Sequence, residues 1–136
     1  MIYITRKEHF NAAHKLFNPA WTEEQNNATF GKCANKNWHG HNYDLYVTVK
    51  GKIDPNTGFV VNLKDLSVLI RTDVTEILDH KNLNLDVEGM SIMPSTENVA
   101  IFIWNILFPK IKNMGATLHA IKLFETDSNY VEYFGE

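Results

Sequence analysis

His39-Gly40-His41 is the densest piece of chemistry in the sequence. In an extended chain, residues two apart face the same side, so both imidazoles can converge on one point. Gly40 between them lets the backbone approach closely. His14, at the end of an earlier candidate strand, supplies a third ring if the two strands pair. Three neutral imidazoles would leave a tetrahedral Zn²⁺ one open position, as catalytic zinc sites have. The plain alternative is three ordinary surface or core histidines; the apolar strands framing the motif favour the metal.

Cys33 lies six positions before His39. Three readings of it stay open: a buried small apolar side chain, a fourth ligand that closes a structural Cys-His₃ site, and a thiol made more acidic by a nearby metal. Asp79-His80 has the composition of an acid/base pair, because an Asp can fix an imidazole's tautomer and stabilise its charged form. Chain neighbours do not automatically hydrogen-bond, and a helix C-terminus carrying a favourable His is the commoner reading of such a dipeptide. Glu125 follows Ile121 and Leu123 along one strand face. A carboxylate ending an apolar face is costly unless paired. It could accept two adjacent N–H donors of a ligand in parallel, or stand at a strand end already in solvent.

The elements that must position these groups follow from periodicity. Tyr3 to His14 reads as extended, with a bulge expected where Ala12-Ala13 breaks the alternation. In His41 to Lys50, Tyr43, Leu45, Val47 and Val49 share one face. Asp54-Pro55-Asn56-Thr57-Gly58 is a turn. Asn62 is the expected N-cap of a helix whose apolar stripe is Leu66, Leu69, Ile70, Val74, Ile77 and Leu78. A second helix should begin after Ser95, with Glu97 in its first turn, Pro109 kinking or shortening it and Gly115 ending it. Leu118 to Glu125 reads as a third strand, with His119, Ile121, Leu123 and Glu125 on one face, and Tyr130 to Phe134 as a short fourth. The order β-β-α-α-β-β argues for an α+β fold with an antiparallel sheet. Lys15 to Trp38 has no clear period and reads as a long loop, a hint of function in a small domain.

Composition bounds the answer. The 136 residues suit one domain, taken as 1–136, with 44% apolar and 21% charged residues. A net charge of −3 gives no basic excess for a phosphate backbone, so nucleic acid is a poor partner. No apolar run reaches the roughly 18 to 20 residues needed to cross a bilayer, so no membrane partner is expected. The charged start, Met1-Ile2-Tyr3-Ile4-Thr5-Arg6-Lys7-Glu8, is unlike a signal peptide, and a single cysteine fits a reducing cytoplasmic setting.

Six ordered segments together resemble the 6-pyruvoyltetrahydropterin synthase family. They are Phe10-Asn11-Ala12-Ala13-His14, Cys33 with His39-Gly40-His41-Asn42-Tyr43, the Asp54 to Gly58 turn, Leu78-Asp79-His80-Lys81-Asn82-Leu83-Asn84, Ser95-Thr96-Glu97-Asn98, and Glu125-Thr126-Asp127 with Asn129. The resemblance implies the tunnelling fold, a four-stranded antiparallel sheet with two helices on one face, assembled as a homohexamer from two trimers. It implies a zinc-dependent lyase acting on 7,8-dihydroneopterin triphosphate, with Zn²⁺ on His14, His39 and His41. Cys33, Asp79 and His80 would form the catalytic relay, the last two from a neighbouring subunit. Glu125 would hold the pterin's amino-pyrimidinone edge, with Thr96 and Glu97 assisting. The same fold and zinc site also serve 6-carboxytetrahydropterin synthase, whose Cys to His-Gly-His interval is typically shorter than the five residues Ala34 to Trp38 found here. Trp38 stands where a small residue is expected.

Overall fold

One strand, β1 (Ile2–His14), runs thirteen residues and pairs without interruption against β2 (His39–Gly51). The expected bulge at Ala12-Ala13 is not there: Ala12 lies opposite His41 and Ala13 opposite Gly40 in the continuing register. Ala12 simply faces the core and Ala13 the other side, so small size rather than a break explains the pair. The computed structural model describes all of residues 1–136.

The sheet has five strands in the order β3-β1-β2-β4-β5, where β3 is Lys81–Asn82, β4 is Thr117–Phe124 and β5 is Tyr130–Tyr133. The expected four-stranded antiparallel sheet is therefore corrected to a mixed one, because two-residue β3 joins the outer edge of β1 in parallel. A bulge does occur, in β4: Thr48 pairs with Ala120 and Val49 with Leu118, so His119 is left over. That extra residue takes His119 off the face shared by Ile121 and Leu123. Its ring instead sits edge-on to Tyr3, with centroids 4.7 Å apart.

Half of the segment read as a long loop is helical. Helix α1 (Glu23–Phe30) is closed at its start by a reciprocal box between Thr22 and Gln25, and a 3₁₀ turn (Gly31–Ala34) follows. Asn26 ties α1 back to Asn18 through both halves of its amide, at 2.6 and 3.0 Å. Such a helix is held by polar bonds rather than an apolar face, which is why no hydrophobic period announces it.

Asn62 caps α2 (Leu63–Ile70) by accepting the Lys64 N–H at 2.9 Å. The helix continues through a π turn (Arg71–Thr75) into α3 (Glu76–Leu78). Leu66, Ile70, Val74 and Leu78 recur every four residues, which outruns an α-helical turn of 3.6; the wider π turn takes up the drift and keeps all four buried on the sheet. Ser95 caps α4 (Thr96–Asn113). Pro109 does not shorten α4: Ile111 is anchored in the core, and Lys110 is ion-paired to Asp73 of the π turn. Both helical rods cover one face of the sheet, and their apolar stripes meet Phe10, Tyr43, Leu45, Val47, Ile121 and Leu123 in a single core. No helix is long and apolar enough to cross a membrane.

Candidate metal centre

The register of β1 and β2 brings the three histidines together. His14 lies directly opposite His39, and Ala12 opposite His41. Cross-strand neighbours face the same side of a sheet, as do residues two apart on one strand. All three imidazoles therefore point to the helix-covered face, just beyond the stacked rings of Phe10 and Tyr43, whose centroids are 4.8 Å apart. Leu123 faces the core opposite Leu45, so Glu125, two residues further, turns the same way. One donor atom from each of His14, His39, His41 and Glu125 lies within 4.8 Å of the others.

His14 is 1% exposed, and its Nδ1 lies 2.7 Å from the Pro94 carbonyl. A carbonyl can only accept, so Nδ1 carries the proton and donates it. Burial, the largest influence, holds the His14 pKa below the usual imidazole value, with His41 adding to the shift and Glu125 opposing it. The neutral ring then presents a bare lone pair at Nε2, 3.4 Å from Glu125 Oε1. His41 Nε2 is 2.9 Å from the same oxygen. Burial likewise lowers the pKa values of His39 and His41.

None of His14 Nε2, His41 Nε2 or either ring nitrogen of His39 has a hydrogen-bond partner, although all are buried. Buried polar atoms without partners are rare and costly. The His14 Nε2 lone pair, turned toward a carboxylate oxygen 3.4 Å away, is repelled by it unless a cation lies between them. Tetrahedral zinc with bonds of about 2.0–2.1 Å sets donors about 3.3 Å apart, close to the contacts around Glu125. Donor types, orphaned nitrogens and spacing all fit a divalent metal. The Pro94 carbonyl orients the His14 ring, as outer partners do at metal sites; a backbone atom leaves no mark in a sequence pattern.

Cys33 is half-buried in the 3₁₀ turn and outside the converging group, so a closed Cys-His₃ site is not what the chain builds. Its carbonyl accepts the Leu16 N–H at 2.7 Å, which fastens the turn two residues past His14. Asp79 and His80 do bond each other, Oδ2 to Nδ1 at 2.8 Å. The bond is made possible by His80's left-handed backbone, φ 59°, and by a clamp onto β1: the Asn11 N–H donates to Asp79 Oδ1 at 2.8 Å, and the His80 N–H donates to the Asn11 carbonyl at 2.6 Å. The Asn11 N–H, first, and His80 hold the Asp79 carboxyl below its usual range. The dyad is open to solvent, with His80's side chain 77% exposed, and also lies outside the histidine cluster.

Glu125, Thr96 and Glu97 line one cavity of about 270 Å³ together with Leu16 and Tyr130. Thr96 is buried and Glu97 exposed. Glu125 thus belongs to two places, the cavity wall and the imidazole cluster, the second of which strand-face reasoning did not anticipate.

A family model described as 6-pyruvoyl tetrahydropterin synthase matches residues 3–136. A 6-pyruvoyl tetrahydrobiopterin synthase of Pongo abelii is 46% identical, over 98% of this chain and 91% of that protein. The structure of 6-pyruvoyl tetrahydropterin synthase from Caenorhabditis elegans superposes with a TM-score of 0.92 at 35% identity, covering 99% of this chain and 96% of that one. A 6-carboxy-5,6,7,8-tetrahydropterin synthase of Rickettsia bellii is 30% identical over 97% of this chain and 99% of that protein.

Proposed function

Because the chain belongs to the 6-pyruvoyl tetrahydropterin synthase family, we propose that it converts 7,8-dihydroneopterin triphosphate to 6-pyruvoyltetrahydropterin with release of triphosphate. The observation that carries this reading is the convergence of three imidazoles with unpartnered ring nitrogens on Glu125, which borders a cavity. The reaction is internally redox-neutral: the triphosphate leaves, and protons move between the side chain and the ring.

In this reading His14, His39 and His41 hold Zn²⁺, which when bound acidifies the substrate's side-chain hydroxyls and stabilises enolate-like charge. Glu125 accepts N–H donors of the pterin's amino-pyrimidinone edge, and buried Thr96 and exposed Glu97 border that end of the cavity. Cys33 moves one proton, as base or acid, and His80 moves another, its tautomer set by Asp79. The exposure of the dyad supports a site completed across a subunit boundary, with Asp79 and His80 reaching a neighbour's cluster in a homohexamer. The Rickettsia bellii relative supports a second reading, 6-carboxytetrahydropterin synthesis; the five residues between Cys33 and His39 favour the pyruvoyl product.

Chelation and reconstitution test the proposal. Purified protein should release triphosphate from 7,8-dihydroneopterin triphosphate, lose that activity with a zinc chelator and regain it with added zinc. Undiminished release from protein shown to be free of metal would overturn it.

A further inference from the structure

We propose that Lys15, packed against Phe17 and Trp38, is the cation that receives the substrate's triphosphate, in a cavity adjoining the one bordered by Glu125. The inference rests on the substrate named above. The Lys15 ammonium lies 4.4 Å from the centre of the Phe17 ring and 4.6 Å from that of Trp38. Lys15 is half-buried, and no carboxylate stands within ion-pairing distance of it. Aromatic faces attract and orient an ammonium without neutralising it. The Asn84 side chain fixes the backbone beneath, accepting the Lys15 N–H at 3.0 Å and donating to the Lys15 carbonyl at 3.1 Å. A lysine is thus held in place with its full charge available to an anion.

Its position ties that charge to the reaction. Lys15 directly follows His14 and Trp38 directly precedes His39, and these two histidines are paired across the strands. Trp38 adopts a left-handed backbone, φ 69°, a conformation that bulky residues rarely take. A cavity of about 540 Å³ opens beside Lys15, and Phe17, Asn27, Asn35 and Lys36 line it. Ala34, the neighbour of Cys33, lines it too. Glu23 is the one carboxylate there, so two lysines leave the lining net positive. Lys15 and Phe17 line this cavity and Leu16 lines the one bordered by Glu125, so the two adjoin along one short segment. A ligand with its ring beside Glu125 and its reacting side chain at the histidines would carry its phosphates on toward Lys15 and Lys36. As the carbon–oxygen bond to the triphosphate breaks, its electron pair goes to the leaving oxygen, and a fixed cation stabilises the charge that develops.

The test uses the full-length protein and inorganic triphosphate as its magnesium salt, followed by calorimetry beside unphosphorylated dihydroneopterin. Lys15→Gln should weaken triphosphate binding at least about tenfold and leave dihydroneopterin binding unchanged. Lys15→Arg, which keeps the charge, should stay within about threefold of the parent, as should Lys64→Gln on the far helix. The proposal is overturned if the parent does not bind triphosphate, if Lys15→Gln binds it as the parent does, or if both ligands weaken equally, which marks a structural role. Binding of inorganic triphosphate does not require turnover, so a failed activity assay and a failed anion site are told apart.

Discussion

Asp79→Asn separates the dyad's chemistry from its structural work. Asp79 accepts the Asn11 N–H through Oδ1 and pairs Oδ2 with His80 Nδ1, each at 2.8 Å. An Asn of the same shape can still accept from Asn11 but then turns an N–H toward His80. Two N–H groups cannot share a hydrogen bond, so the imidazole must flip, change tautomer or let go. The side chains of Asp79 and His80 are 40% and 77% exposed, so solvent screens their pairing and its loss costs below about 1 kcal/mol. For a chain of this size that lowers Tm by no more than about 4 °C. Turnover should suffer far more, because a correctly held proton-transfer group is worth about 10²- to 10⁴-fold, or about 3–5 kcal/mol of barrier. The assay is triphosphate release at saturating substrate, with a thermal melt and zinc content measured on the same preparation. Turnover within about threefold of the parent, with zinc and fold intact, would refute the assignment of His80 to proton transfer.

Other outcomes follow from the same geometry. Cys33→Ala should keep zinc and fold while losing turnover, because the thiol lies outside the histidine cluster; loss of zinc in a metal analysis would return Cys33 to the ligand set. Metal-free protein should lose stability as pH falls from about 7.5 to 5.5 in thermal melts. Burial depresses the pKa values of His14, His39 and His41 in the fold, so the unfolded chain binds more protons as pH drops through the ordinary value of 6.5. A flat profile, or one rising toward acid, would contradict neutral buried imidazoles. Leu45→Ala removes a fully buried side chain at the centre of the sheet and should cost about 2–5 kcal/mol in a denaturant titration, whereas Asn62→Ala, losing one cap bond, should cost about 1 kcal/mol.

The candidate site was more legible in the sequence than the sheet around it. The histidine spacing survives folding because period two is the strand's own geometry: once β1 and β2 pair, His14, His39 and His41 have no other side to face. The caps at Asn62 and Ser95 were legible for a similar local reason. Two-residue β3 left no pattern, since its pairing is held by the clamp of Asp79 and His80 on Asn11. Helix α1 was hidden because its stability lies in Thr22, Gln25 and Asn26 rather than in an apolar stripe. The face of His119 departs from simple alternation because a bulge adds one residue and inverts the pattern beyond it. Glu125's place among the imidazoles depends on β4 and β2 meeting in register, a long-range fact that strand-face counting alone does not supply.

Product identification decides whether the chain has the proposed activity. Purified, zinc-loaded protein is incubated with 7,8-dihydroneopterin triphosphate under anaerobic conditions, and the pterin product is identified by mass spectrometry. The expected products are 6-pyruvoyltetrahydropterin and one triphosphate for each substrate consumed. Formation of 6-carboxytetrahydropterin with acetaldehyde, or recovery of unchanged substrate, would contradict the proposed activity.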